Sequence, residues 1–125
     1  MTLNGMSVKS KFDLKERALA FAVRMVGFMD KLPRDLSGEV IGRQVLRSAT
    51  SIGANIHEAQ ASPTRRDFTL MIGHSLKSAN ETLYWLKVLR DSKKVSSKEL
   101  DEIIEECSQL CKILGSSIST LKTQS

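Results

Sequence analysis

Ser48, Ser51 and His57 place two hydroxyls and an imidazole base within one short stretch, the raw material of acyl transfer. Nucleophilic catalysis needs more: a strained strand-to-helix elbow and a glycine-rich oxyanion loop. Neither pattern flanks these residues, and no phosphate-binding P-loop occurs in the sequence. Metal chemistry meets a similar obstacle. Carboxylate-bridged di-iron bundles use Glu-x-x-His pairs, but Ala54 and Met71 stand three positions before His57 and His74. Cys107 and Cys111 lie four apart on one helical face and could offer two thiolates to a soft metal. They fall among Ile103, Leu110 and Leu114, so a pair of core cysteines is the preferred reading. No enzymatic activity, cofactor or metal site is expected.

A different pattern stands out over residues 44–58, QVLRSATSIGANIHE. On a helix, Ile41, Val45, Ala49, Ile52 and Ile56 form an apolar stripe, while Gln44, Ser48, Ser51, Asn55 and Glu58 form a parallel stripe of small or hydrogen-bonding groups. A solvated face normally carries Lys and Glu. This helix is therefore expected to have protein on two sides, by tight packing or by oligomerisation. Its polar stripe is expected to hydrogen-bond with Glu81, Thr82 or Tyr84 of the next helix, or with a neighbouring subunit. Such a network fixes one helix register among many. Arg47 is expected to pair with Glu58 or Asp67. Tyr84 and Trp85 could stack on bases as in single-strand binders, but packing at a core edge or subunit interface is preferred for Trp85.

Charge suggests a partner. The net charge is +5. Residues 99–125 hold five acids and two bases, so the rest of the chain carries +8. The acids suit the N-terminal turns of a last helix; the remainder offers cations to an anionic partner. Candidates are Arg43, Arg47, Arg65, Arg66, Lys77, Lys87, Arg90, Lys93 and Lys94. Arg65 and Arg66 fall at a helix N-terminus, where free N–H groups also favour phosphate. Arg43, Lys87, Arg90, Lys93 and Lys94 are expected to gather at one basic end of the molecule.

Four helices must position these groups. Asp13 and Glu16 resemble a capping box for a first helix, along which Leu14, Ala18, Phe21, Met25, Phe28 and Leu32 recur every three to four residues. Pro33 stops it. A second helix runs from near Ser37 to about Ala61; Gly42 and Gly53, with Ala49 and Ala54, allow a close neighbour. Thr64 and Asp67 start a third, with Phe68, Ser75, Ala79 and Leu86 inward, ending near Asp91. Ser96 and Glu99 form a capping box for a fourth, whose Leu100, Ile103, Cys107, Leu110, Leu114, Ile118 and Leu121 keep a heptad-like period. No strand or hairpin pattern appears. Short loops between four long helices imply an all-α, antiparallel up-down-up-down four-helix bundle.

A chain of 125 residues is one domain: residues 11–125 are expected to form the bundle and residues 1–10 a flexible N-terminal segment. No run of about 18 apolar residues, no signal-peptide pattern and only two cysteines point to a cytoplasmic protein with no membrane partner.

Leu46, Arg47, Ser48, Ser51, Ile52, Ala54, Asn55, Ile56, Glu58 and Ala59, then Asp67-Phe68, then Glu81, Thr82, Tyr84, Trp85 and Leu86 resemble the pattern of the small bacterial four helix bundle proteins, also called the 23S rRNA intervening-sequence or S23-type family. The resemblance covers roughly residues 12–122. It implies a homopentameric antiparallel bundle, often encoded within ribosomal RNA genes and poorly defined in biochemical role. A related bundle is the accessory protein of diversity-generating retroelements, where a basic pentamer engages nucleic acid and a reverse transcriptase. The expected function is thus a non-enzymatic oligomer that binds RNA or DNA through a basic surface, or alternatively a protein-binding scaffold or accessory subunit. Gly73-His74-Ser75 departs from the family pattern, where a better helix former is expected.

Overall fold

The computed structural model describes residues 8–123, and within them the chain forms four helices: α1 (Val8–Met29), α2 (Leu36–Gln60), α3 (Arg65–Asp91) and α4 (Lys98–Thr123). Most of the segment expected to be flexible, residues 1–7, lies outside the described residues; Val8–Met29 is already helical. The first helix therefore starts before Asp13, because no Pro or Gly interrupts residues 8–13.

Each loop is set by local chemistry. Asp35 caps α2 by accepting a hydrogen bond from the Gly38 amide at 2.9 Å. Gly38 is obligatory there: a Cβ would collide with the Pro33 carbonyl oxygen where the chain doubles back. Thr64 caps α3 from the Asp67 amide at 3.1 Å, as the sequence implied. The cap of α4 falls one residue later than expected. Ser97, rather than Ser96, accepts from the Leu100 amide at 3.1 Å, and Glu99 turns instead to Lys31 of α1 at 3.0 Å.

Cross-helix contacts fix the topology. Gly53 of α2 lies against the Ala18 backbone of α1, where even a Cβ would sit 3.5 Å away. Thr82 of α3 meets Ser48 of α2, and the Cys107 sulfur of α4 lies 3.5 Å from the Ala79 carbonyl of α3. Each pairing runs in opposite sense along its two helices, giving the antiparallel up-down-up-down four-helix bundle. Most of the core follows the residues the periodicity selected, including Leu14, Phe21, Met25, Ile52, Phe68, Leu86, Leu100 and Leu110, all 2 % exposed or less, and Ala59 and Leu89 join them. Leu32, Ile41 and Ile118 are only partly buried at its margin. Gly73-His74-Ser75 does not interrupt α3; Ser75 is buried and donates to the Ile52 carbonyl at 2.8 Å.

The fourth seam, α1 against α4, has the fewest contacts. A charge ladder runs along it: Arg17–Glu106 at 2.7 Å, Arg24–Glu102 at 2.8 Å and Lys31–Glu99 at 3.0 Å. Exposed pairs contribute only about 0–1 kcal/mol each, so the ladder sets register more than stability.

Candidate nucleic-acid interface

The patterned second helix has its two flanks covered inside the protomer, by α1 and by α3. The polar stripe faces α3, and its hydrogen bonds divide into two sets. In the buried set, Thr82 donates to Ser48 Oγ at 2.8 Å and Ser48 to the Val45 carbonyl at 3.2 Å. Two hydroxyls that satisfy one another inside a core specify alignment at little net cost. In the surface set, Arg47 donates to Gln44 Oε1 at 3.0 Å and also to Glu81 Oε2. Glu81 accepts from Trp85 Nε1 at 3.1 Å as well. Arg47 thus pairs with Glu81, not with Glu58 or Asp67, because α3 carries Glu81 past its position on α2. Ser51 and Asn55 turn back onto their own helix, donating to the Arg47 and Ser51 carbonyls, both at 2.8 Å. Glu58 is exposed. Of the stripe only Ser48 bonds to α3; Gln44, Ser51 and Asn55 are engaged within α2 itself, so these side chains have partners without a second subunit.

The bundle end expected to be basic is neutral. Cut across its middle, the half holding the α1–α2 and α3–α4 loops (residues 24–47 and 81–106) contains ten Lys or Arg and ten Asp or Glu. The folding of the chain brings Asp30, Asp35, Glu39, Asp91 and the acids of α4 to the same end as Arg43, Lys87, Arg90, Lys93 and Lys94. Arg90 pairs with its neighbour Asp91 at 2.8 Å and Lys94 with Asp35. The Lys94 ammonium and the Gly38 N–H hold the Asp35 carboxyl below its ordinary range. All the excess charge, nine bases against four acids, lies in the opposite half.

One continuous outward stripe of α3 begins in that basic half and runs on into the neutral one. Arg66, Leu70, Lys77, Asn80, Tyr84 and Lys87 are all exposed and lie opposite the buried Phe68, Ile72, Ala79 and Leu86. The stripe is about 32 Å long at 1.5 Å per residue. Among the described residues, Arg66 and Lys77 in the basic half and Arg43, Lys87 and Lys93 in the neutral half have no acidic partner within ion-pair distance. Arg65 is held differently, donating to the Leu121 carbonyl at 3.2 Å. Trp85 is half-buried against the core, as preferred from the sequence. Tyr84 is not: it is 61 % exposed, with its ring edge-to-face on Trp85 at 5.1 Å between centroids. Its phase on α3, opposite the buried positions, is the sequence signal that places it outside.

The other reactive groups are elsewhere. His57 and His74 are exposed, and no group of three His, Cys, Asp or Glu able to hold a metal occurs among the described residues. Cys107 is buried and Cys111 half-buried. A hydrogen bond from the Cys107 thiol holds the Cys111 thiol below its usual range, aided by Lys87, and the same bond with burial pushes Cys107 up. Iodoacetamide should therefore alkylate Cys111 in the folded protein, with Cys107 reacting only in denaturant; peptide mapping reads this directly, and equal labelling contradicts it.

On α1, Leu19 and Val23 are 65 % exposed and Val26 49 %. Leu19 borders a groove of about 600 Å³ against Thr50, Gly53 and Ala54 of α2. Among the described residues no helix is long and apolar enough to cross a membrane.

Four antiparallel helices, a hydroxyl-locked α2–α3 seam and exposed apolar and basic faces define a small helical-bundle protein built around surfaces. Residues 10–116 match the family described as 23S rRNA-intervening sequence protein, and the chain belongs to that family. It is similar to a solved protein of unknown function from the S23 ribosomal protein family of Bacteroides thetaiotaomicron VPI-5482, at 36 % identity, TM-score 0.81, covering 88 % of this chain and 98 % of that one. No curated protein matches.

Proposed function

We propose that the chain is a non-enzymatic, oligomeric RNA-binding protein of the cytoplasm. The observation that carries this reading is the outward stripe of α3. Three cations without acidic partners and an exposed aromatic ring line this face; the acids of α3 between Arg66 and Lys87 are Asp67, in the first turn, and Glu81, whose carboxylate is engaged by Arg47 and Trp85. The family description, which refers to ribosomal RNA, supports it. A protomer of charge +5 binds weakly; the pentamer that the sequence resemblance implies would carry roughly +25 and bind tightly in low salt.

Fluorescence anisotropy with a structured RNA tests this at low and high salt. Binding at about 50 mM salt is expected to weaken steeply by about 200 mM. Replacing Lys77 and Lys87 by Ala should flatten the slope of log affinity against log salt by about two per protomer. Absence of binding at about 50 mM salt overturns the reading.

A second reading is a scaffold or accessory subunit for another protein, a reverse transcriptase for example. The apolar face of α1 favours it, since surface of this kind marks protein contacts. A pull-down that survives nuclease treatment would support that alternative.

A further inference from the structure

Resting on the RNA-binding reading, we infer that the α3 stripe takes unpaired rather than duplex nucleic acid, with one base stacked on Tyr84. A duplex presents phosphates but hides its base faces, so cations alone suffice to bind it. An aromatic ring adds affinity only for a base free of the stack. Tyr84 is such a ring, with 61 % of its surface open.

The ring is also buttressed. Its edge-to-face contact with Trp85 has an interplanar angle of 72°. The Trp85 indole is tied to Glu81, and Glu81 is tied to Arg47 of α2. A chain of contacts therefore runs from the α2–α3 seam to the exposed ring and limits the ordering cost of stacking.

The surroundings fit a strand. Asn80 and Lys87 lie four residues before and three after Tyr84, adjacent to it on the helix surface. Lys77 lies about 10 Å along the axis on the other side. A base on Tyr84 leaves the phosphates to either side of it within reach of Lys77 and Lys87, and the Asn80 amide can meet its polar edge.

The test compares full-length wild type, Tyr84→Ala and Tyr84→Phe, using an unpaired RNA of about 12 nucleotides and a hairpin-closed duplex of equal charge. Tyr84→Ala is expected to weaken unpaired-RNA binding about tenfold and to leave duplex binding unchanged; Tyr84→Phe should retain wild-type affinity. Equal binding of the unpaired RNA by wild type and Tyr84→Ala overturns the stacking while leaving RNA binding intact. So does an equal loss on both RNAs. Wild type that binds neither RNA removes the RNA-binding reading and this inference together.

Discussion

Phe68→Ala is expected to lower the unfolding free energy by about 3–5 kcal/mol, a large fraction of the stability of a domain this size. Phe68 is 1 % exposed and among the largest fully buried side chains. It sits in the first turns of α3, just after the Thr64 cap, and its removal opens a cavity in the core. Leu70, two residues on, is 56 % exposed on the outward stripe. Leu70→Ala should change stability by no more than about 0.5 kcal/mol. Urea denaturation of the two variants side by side checks the phase of α3. Comparable losses would mean that the helix is rotated from the orientation that exposes Tyr84 and Lys77.

The core was legible because burial repeats along a helix with the period of the backbone. Leu14 to Phe28 on α1 and Leu100 to Leu121 on α4 announce which side is dry without any knowledge of the partner. The Thr64 cap was legible for a related reason, since a cap and its amide lie three residues apart. Where two adjacent serines compete, as Ser96 and Ser97 do, local pattern gives no choice. The outcome rests on Glu99 reaching Lys31 of another helix.

Charge was the least legible property. Arg43, Lys87, Arg90, Lys93 and Lys94 look like one basic cluster when only cations are followed. Apart from Asp91, which lies among them, the neutralising acids come from two other stretches of chain, and only the fold shows that they converge on the same end. Ser48 and Thr82 were recognisable as seam residues, but Ser51 and Asn55 look the same in sequence and instead satisfy their own helix. Short polar side chains bond locally whenever the facing helix offers no group at the right height.

The α1 face gives the second large effect. Leu19→Gln combined with Val23→Gln is expected to convert the proposed oligomer to separate protomers with their helicity intact. Both positions are 65 % exposed in the protomer, so Gln there meets water and should barely alter folding. In an assembly that covers this face, each substitution removes about 1.5–3 kcal/mol of apolar burial and adds an unpaired amide at about 1–3 kcal/mol. Sedimentation velocity at micromolar concentration reads the outcome as a fall in mass. A wild type that already sediments as a protomer eliminates the assembly, and a variant that stays assembled assigns the interface to a different face. Gln keeps the charge at +5 per protomer, so the same variant isolates the effect of multivalency on RNA binding. Losing simultaneous contacts should weaken affinity on the order of 100-fold, with Lys77, Tyr84 and Lys87 all unaltered. The α3 substitutions should do the reverse, weakening RNA binding at unchanged mass, because α1 and α3 are diagonal in the bundle and present their exposed sides in different directions.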